Sequence, residues 1–267
     1  MKFGFLGTGN MGGAIIRGYL AAHPDERKNI FAYDADEDKL KAFSDETGIA
    51  ACGSIEELVR QSDAVVLAIK PFIFDEVVPK LAAFYTADKA LVSIAAGISM
   101  GYIEKLIGKG GAKVVRVMPN TPAMVNAGMS ALSRNRHIAD EEFQQVLELF
   151  RSVGKAEVIP ESLMDTVIGV SGSCPAYTYM FIEALVDAAE ANGMDREQAK
   201  IFAAQTVLGS AKMVLETGVD LATLRQNVCS PGGTTIEAVT VLQNNGFHDN
   251  IAEAFNAAVK KSKLITK

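Results

Sequence analysis

The stretch Lys2-Phe-Gly-Phe-Leu-Gly-Thr-Gly-Asn-Met-Gly-Gly13 decides the fold. Its apolar residues Phe3 to Leu6 predict a short strand, and a helix is expected to begin near Met11. The glycines between them, Gly7, Gly9 and Gly12, follow the pattern G-x-G-x-x-G. In that pattern the first glycine makes a tight turn, the second lets a diphosphate approach the backbone, and the third lets the helix pack against the strand.

The residues that follow favour a dinucleotide site over a glycine turn without a ligand. A second apolar run, Ile30 to Tyr33, ends at Asp34, which lies 22 residues after Gly12. Dinucleotide sites carry an acid near this position to accept the hydroxyls of the adenine ribose. We therefore predict that Asp34 contacts the ribose and that the helix N-terminus binds the diphosphate. The residues predicted to line this part of the site are Gly7, Gly9, Asn10, Met11, Gly12 and Asp34.

The composition is that of an ordinary globular protein and excludes several classes of function. A chain of 267 residues predicts one large or two moderate domains. A net charge of −6 argues against nucleic acid as a partner, because phosphate backbones require basic patches. No apolar run has the length of a membrane span. The chain starts with a structural strand and leaves no room for a signal peptide, so we expect a cytoplasmic protein.

The cysteines and histidines show no metal-binding pattern. Three widely spaced cysteines, Cys52, Cys174 and Cys229, fit reduced thiols better than disulfides. The three histidines are also scattered, so no metal site and no histidine-based triad is expected.

Strand and helix patterns alternate up to about residue 153, which predicts a mostly parallel sheet covered on both faces. The apolar runs are 3–6, 30–33, 64–69, 90–94, 114–118 and 129–132, and the helical patterns are 36–47, 54–61, 72–84, 99–107 and 140–152. Pro79 is expected to break or bend the third of these helices. The fold class is α/β, with a doubly wound dinucleotide-binding domain over residues 1–157.

The pattern changes around residues 154–161, and no strand is expected from there to Lys267. Residues 158–267 predict an all-helical domain. Helices are expected over 175–193, 195–217, 220–227, 234–244 and 248–265. They are rich in alanine and apolar on more than one face, which requires burial on several sides. We predict that this domain packs against a second copy in a homodimer; the alternative is a self-sufficient bundle.

Ligands of doubly wound sheets bind beyond the carboxyl ends of the strands. Small or rigid residues follow three of the predicted strands, and those predicted to contact a nicotinamide cofactor are Ala68, Lys70, Pro71, Ala95, Gly97, Pro119 and Asn120. The Asn120 side chain could hold an amide. The alternative for each segment alone is ordinary turn chemistry.

A second glycine loop, Cys229-Ser-Pro-Gly-Gly-Thr-Thr235, runs into a helix N-terminus and suits a small carboxylate. The alternative is that Thr234 only caps that helix. A third small-residue turn is Gly169-Val-Ser-Gly-Ser-Cys-Pro-Ala-Tyr177. We interpret Cys174 and Cys229 as small hydrophobic residues rather than nucleophiles.

At these residues the chain resembles the pyrroline-5-carboxylate reductases, over nearly its whole length. The motifs are Gly7–Gly12, Ala68–Pro71, Ala95–Gly97, Met118–Thr121, Ser171–Tyr177 and Ser230–Thr235. The resemblance implies a Rossmann domain and an all-helical dimerisation domain, with dimers often joined into decamers. It implies that Ser230, Gly232, Gly233, Thr234 and Thr235 bind the substrate carboxylate, with the catalytic Thr235 hydroxyl near the ring nitrogen and the substrate pocket at the dimer interface. Cys174 stands where that family often has glycine or serine.

The residues agree with reduction of an imine. Reduction of a ketone needs a proton donor, usually lysine or histidine. The chain has no lysine between Lys155 and Lys200, and no histidine between His137 and His248. An imine can enter already protonated, so the missing donor fits an imine reductase. The resemblance implies that the reaction is reduction of 1-pyrroline-5-carboxylate to L-proline in proline biosynthesis. A related hydroxyacid dehydrogenase and a non-catalytic dinucleotide sensor are the alternatives.

Either NADPH or NADH is expected as the cofactor. Asp34 and Asp36 favour NADH, because carboxylates accept ribose hydroxyls and repel a 2′-phosphate. Lys39 and Lys41 are the only nearby cations. We predict that NADH is used at least as well as NADPH.

Overall fold

The computed structural model of the chain describes all residues, Met1–Lys267. Its strands are β1 (Phe3–Leu6), β2 (Ile30–Tyr33), β3 (Ala50–Ala51), β4 (Ala64–Leu67), β5 (Ala90–Ser93), β6 (Lys113–Met118), β7 (Gly128–Arg134) and β8 (Gly154–Val158). Its α-helices are α1 (Asn10–Ala22), α2 (Glu37–Thr47), α3 (Ile55–Gln61), α4 (Phe74–Ala82), α5 (Met100–Ile107), α6 (Asp140–Arg151), α7 (Met164–Val167), α8 (Cys174–Ala191), α9 (Arg196–Thr217), α10 (Leu221–Asn227), α11 (Thr234–Asn244) and α12 (Phe247–Ile265).

The eight strands form one sheet in the order β3-β2-β1-β4-β5-β6-β7-β8. All neighbours are parallel except β6 and β7, which are antiparallel. The predicted α/β fold with a mostly parallel sheet is confirmed. The strand order reverses between β1 and β4, where Leu6 is in register with both Tyr33 and Leu67. This reversal is the point at which doubly wound sheets bind ligands.

Both faces of the sheet are buried. Strands β1, β4 and β5 are buried at every residue, which explains why they read as continuous apolar runs. One face packs in a cluster that includes Ile15 of α1 and Phe150 of α6. The other packs in a cluster that includes Leu58 of α3 and Phe74 of α4.

Two strands were not predicted, and the helix that contains Pro79 does not end there. The prediction found no strand after about residue 153, which is wrong, because Gly154–Val158 forms β8 at the edge of the sheet. Only Ala156 of β8 is buried, so the segment carries no apolar run. The two residues of β3 are too few to give a pattern. Pro79 lies inside α4, which continues to Ala82 without ending there.

The chain divides into two compact units, which differ in their bounds from the two predicted domains. The first comprises Met1–Ser173 and Ala258–Lys267, and the second comprises Cys174–Ala257. Residues after Val158 belong to the first unit because Met164 packs against Met118 and Ala131. Residues 258–267 join it through Ser262, whose hydroxyl donates to Oδ1 of Asp165 at 2.5 Å. The division at residue 157 stays a prediction.

The second unit is helical, as predicted. Asp195 and Asp220 accept hydrogen bonds from the first turns of α9 and α10 and cap these helices. Its buried core is small: Val186, Ala199 and Ala203, where α8 packs against α9. Many of its large apolar side chains are exposed, and those with 59% exposure or more include Tyr179, Met180, Ile201, Phe202, Leu208, Leu215, Leu221, Val228 and Val241.

None of the helices combines the length and apolar composition that crossing a membrane would require. No three His, Cys, Asp or Glu side chains form a group that could hold a metal ion.

Candidate active site

The glycine loop has the geometry that its sequence predicts. Gly7 adopts a φ of +106°, and a Cβ at this position would lie 2.6 Å from the carbonyl oxygen of Ala68. A Cβ at Gly12 would lie 2.6 Å from the Gly7 carbonyl oxygen and 3.0 Å from the Ala68 Cβ. Gly7 is therefore required for the turn, and Gly12 for the close packing of α1 on the end of β1.

Gly9 differs from the other two glycines because a Cβ there would meet no atom within 4 Å. It is the N-cap of α1, and no side chain accepts a hydrogen bond from the first turn of the helix. The backbone N–H groups of Asn10, Met11 and Gly12 therefore have no side-chain partner at the positive end of the helix dipole. This arrangement fits the diphosphate of a dinucleotide.

Asp34 lies beside this loop, at the end of β2. Its Oδ2 accepts hydrogen bonds from the Thr8 N–H at 2.7 Å, the Thr8 hydroxyl at 2.8 Å and Nζ of Lys39 at 2.8 Å. Its Oδ1 accepts one bond, from the Asp36 N–H at 3.2 Å. A carboxylate has about four acceptor positions, so Oδ1 retains a lone pair for a ribose hydroxyl.

Asp34 is ionised at all physiological pH values. Burial disfavours its charged form, but the hydrogen bonds from Lys39 and Thr8 outweigh burial and lower the pKa of the carboxyl to about 2. Asp34 thus has two functions in the fold. It fixes the glycine loop through Thr8, and it holds the Lys39 ammonium at the end of β2.

The other predicted cofactor residues lie at the carboxyl ends of β4 and β5. Ala68 follows β4, donates its N–H to the Leu6 carbonyl oxygen at 3.0 Å and packs beneath Gly12. Lys70 is exposed and precedes Pro71, which begins a short 3₁₀ turn. Ala95 and Gly97 are buried after β5, and Gly97 has a φ of +71°. The parallel register brings these segments to the same sheet edge as Gly7.

The Asn120 amide is already engaged within the first unit. Its Oδ1 accepts from the Met129 N–H at 2.8 Å, and its Nδ2 donates to the Ser171 carbonyl oxygen at 3.1 Å. The side chain therefore fixes the turn after β6, where Pro119 is also buried. A contact of Pro119 or Asn120 with nicotinamide stays a prediction.

In the second unit, the Ser230–Thr235 loop ends in an uncapped helix N-terminus. Gly232 has a φ of +68°, and the Gly233 N–H donates to the Ser230 carbonyl oxygen at 3.0 Å. The N-cap of α11 is Gly233, without a side-chain hydrogen bond. The alternative in which Thr234 caps the helix is therefore wrong. The N–H groups that begin α11 are open to an anion, as are the hydroxyls of Thr234 and Thr235.

The Cys52 thiol is not activated. Burial, followed by the charge of Glu57, raises the pKa of the Cys52 thiol to about 11, so it remains protonated. Cys174 lies within 4.0 Å of the Thr178 hydroxyl at the start of α8. The residues before it, Ile168–Gly172, form a π-helical turn.

Thr8 and Lys39 shape the site and are not among its predicted residues. The hydroxyl of Thr8 within the glycine loop is the one local signal of its role. Lys39 is predicted only as a nearby cation. A separation of five positions from Asp34 does not indicate that the two side chains form a hydrogen bond.

These features define a Rossmann-type oxidoreductase that uses a nicotinamide dinucleotide. The family model described as NADP oxidoreductase, coenzyme F420-dependent, matches residues 2–97, and that described as pyrroline-5-carboxylate reductase dimerisation matches residues 161–265. The chain belongs to the pyrroline-5-carboxylate reductase family.

The relatives that establish the family align over essentially the whole chain. The pyrroline-5-carboxylate reductase of Escherichia coli (strain K12) is 46% identical over 266 residues, covering 100% of this chain and 98% of its own. The structure of the Coxiella burnetii enzyme matches with a TM-score of 0.93 and 34% identity, covering 100% of this chain and 98% of its own. That of Plasmodium falciparum, solved with NADP bound, matches with a TM-score of 0.89, 34% identity and the same coverage.

Proposed function

We propose that the chain reduces 1-pyrroline-5-carboxylate to L-proline, with the cofactor at Gly7–Gly12 and the substrate carboxylate at Ser230–Thr235. The chain belongs to a family named for this reaction. The observation that carries the proposal is that two of its helices, α1 and α11, begin with a glycine N-cap and have no side-chain cap. One suits a diphosphate and the other a carboxylate. These are the two anionic groups that cofactor and substrate bring.

The residues of the chain position two reactants and do little covalent work. Gly7–Gly12 would hold a nicotinamide dinucleotide, which would supply the hydride for the imine carbon of the substrate. Because the imine can bind already protonated, no lysine or histidine donor is needed. The Thr235 hydroxyl holds the ring nitrogen, and the backbone N–H groups of Thr234 and Thr235, which begin α11, hold the carboxylate.

We propose further that NADH and NADPH both serve, with NADH used at least as well. The open position on Oδ1 of Asp34 supports acceptance of the ribose hydroxyls of NADH. The ammonium of Lys39 lies beside Asp34, to which it donates one hydrogen bond, and its remaining N–H groups could bind a 2′-phosphate. Three acids, Asp36, Glu37 and Asp38, directly precede Lys39 in the chain, and their negative charge weakens that attraction.

The second unit supports assembly with another copy of the chain. Residues 161–265 match a dimerisation model, and this helical unit buries only a small apolar core of its own. Phe202 of α9 is 60% exposed and Ile201 is 69% exposed. We propose a homodimer that buries this apolar surface. Association of dimers into a decamer and a cytoplasmic location stay predictions.

The test of the reaction is loss of NADH or NADPH absorbance when 1-pyrroline-5-carboxylate is added. A six-membered cyclic imine and a 2-keto acid serve as controls, and the product is identified as L-proline by chromatography. Rapid loss with the five-membered imine is expected. Loss with the keto acid alone would instead indicate a hydroxyacid dehydrogenase, and cofactor binding without any turnover would indicate a dinucleotide sensor.

The assembly is tested separately by light scattering during size-exclusion chromatography. A mass of twice the chain, or of ten times the chain, is expected. Phe202→Glu should lower the mass because it places a charge on the apolar surface. Lys200→Glu is the control and should not lower it, because Lys200 is exposed two positions away and faces the opposite side of the helix. A mass of 28.4 kDa for the unmodified chain would contradict the dimer.

A further inference from the structure

A late segment of the chain binds the turn that follows β5. We call residues Ser262–Lys267 the clasp and residues Ala95–Ser99 the β5 turn. The Lys267 N–H donates to the Gly97 carbonyl oxygen at 2.9 Å, and the Ser99 N–H donates to the Lys267 carbonyl oxygen at 3.0 Å. With these two backbone hydrogen bonds, Lys267 is paired with the β5 turn in the manner of a β-bridge.

The clasp is also fixed through its side chains. Nζ of Lys267 lies 2.7 Å from Oδ2 of Asp75 and 5.4 Å from the centre of the Tyr102 ring, and the Tyr102 hydroxyl donates to the same Asp75. At the other end, Ser262 is buried against Asp165, which also accepts from the Thr266 hydroxyl at 3.3 Å. The clasp is thus held at both ends to the unit that contains the glycine loop.

Gly97 is the residue of the β5 turn on which the clasp lies. Its φ of +71° is one that residues with a side chain rarely adopt, and a Cβ there would lie 3.3 Å from Cγ1 of Ile265. The hydrogen bond that begins the turn, from the Ala95 N–H to Oγ of Ser93, is long at 3.4 Å. The contacts that hold the middle of the turn therefore come from Ile265 and Lys267.

We propose that Ile265 and Lys267 are positioning residues for the cofactor, because the clasp holds the β5 turn in the shape that receives it. The inference rests on the proposed function, in which Ala95 and Gly97 contact the dinucleotide. A turn without the clasp would have to be ordered each time the cofactor binds, and this entropy cost would weaken binding. With the clasp in place, the turn is ordered beforehand.

Binding of NADH and NADPH, measured by fluorescence titration without substrate, tests the proposal. A variant that ends at Lys261 lacks the clasp, and Lys267→Pro removes the N–H that bonds Gly97. Each should raise the dissociation constant of both cofactors about tenfold, which corresponds to the net contribution of one or two hydrogen bonds. The kcat at saturating cofactor should change by less than about threefold. Lys263→Met, an exposed position in the same segment, is the matched control and should bind as the unmodified protein does.

A purely structural clasp would give a different result. Activity would then fall only in proportion to the folded fraction, with unchanged dissociation constants, and this result would overturn the proposal. Lys267→Pro keeps every other residue and provides the measurement if the shortened variant does not fold. The titration needs no substrate. If the unmodified protein binds the cofactor but does not reduce 1-pyrroline-5-carboxylate, the proposed reaction is contradicted and the effect of the clasp on cofactor binding can still be measured. Failure to bind either cofactor would overturn both proposals.

Discussion

Nη1 of Arg116 lies 3.1 Å from Oε1 of Glu161, and this is the only partner of a guanidinium whose Nε and Nη2 are buried without hydrogen bonds. The Arg116 side chain is 4% exposed and that of Glu161 is 29% exposed. The same Glu161 oxygen accepts from the Met100 N–H at 2.8 Å, at the start of α5. One carboxylate thus neutralises a buried cation and satisfies a helix N-terminus.

Removal of Glu161 should therefore destabilise the fold strongly. Glu161→Ala is expected to lower the free energy of unfolding by about 3 kcal/mol, because it leaves the Arg116 charge buried and unpaired. Glu161→Gln keeps an acceptor for Met100 and should cost less. Urea unfolding of both variants measures the difference. Equal stability of Glu161→Ala and the unmodified protein would contradict this view of Arg116.

Substitutions of Gly9 and Gly7 should separate cofactor binding from folding. Gly9→Val should abolish binding of NADH and NADPH, because its side chain enters the space of the diphosphate, and should leave the thermal midpoint nearly unchanged. Gly7→Ala should lower stability instead, because of its φ of +106° and the contact with Ala68. Titration and thermal unfolding of each variant give the comparison. Normal cofactor binding by Gly9→Val would refute the diphosphate site.

Thr235→Ala should lower the kcat for 1-pyrroline-5-carboxylate, roughly 10- to 100-fold, through loss of a hydrogen bond to the ring nitrogen. Cofactor affinity should remain within about twofold. Thr240→Ala is the matched control, because that hydroxyl bonds the Ile236 carbonyl oxygen one turn further along α11. An equal effect of the two substitutions on kcat would mean that Thr235 acts only through the helix.

Lys39→Met should change the choice between cofactors. The kcat/KM with NADPH is expected to fall about tenfold, because the 2′-phosphate loses its cation, whereas that with NADH should change by less than about threefold. Lys41→Met, an exposed lysine of the same helix, is the control for a change in overall charge. A parallel loss with both cofactors would show that Lys39 only supports Asp34.

The stability that Asp34 contributes should disappear in acid. Its pKa in the folded chain is lowered to about 2 from an ordinary value of 3.8, so its ionised form stabilises the fold above pH 3.8. This contribution is lost as the pH falls through about 2. The difference in unfolding free energy between the unmodified chain and Asp34→Asn should therefore be constant near neutral pH and shrink below about pH 4. A difference that stays constant down to about pH 2 would contradict the lowered pKa of Asp34.

Much of the fold could be predicted because its central strands are apolar along their whole length. Strands β1, β4 and β5 are buried on both faces, and each gives a continuous run that stands out between helical patterns. Strand β8 could not be recognised in this way, because an edge strand with one buried residue has the composition of a loop.

Site residues could be predicted where they belong to a local sequence pattern. They could not be predicted where the contact joins residues that are distant in the sequence. Gly7 and Gly12 are required by contacts within one strand–turn–helix unit, so their spacing is sufficient to identify them. The partners of Asp34 depend on side-chain placement, which spacing does not give. Lys267 and Asp75 are separated by 192 positions, and no pattern in the sequence relates them.

The strand order has a consequence for how the chain is made. β1 lies between β2 and β4, so it gains its second neighbour only after 61 further residues, when Ala64 has followed Phe3. At ribosomal rates this takes roughly 3–12 s. Throughout that interval Phe3 and Phe5 lack part of the sheet that finally buries them. The nascent chain therefore passes through a stage in which an apolar central strand is exposed. In that stage it can bind chaperones, or another nascent chain translated from the same mRNA.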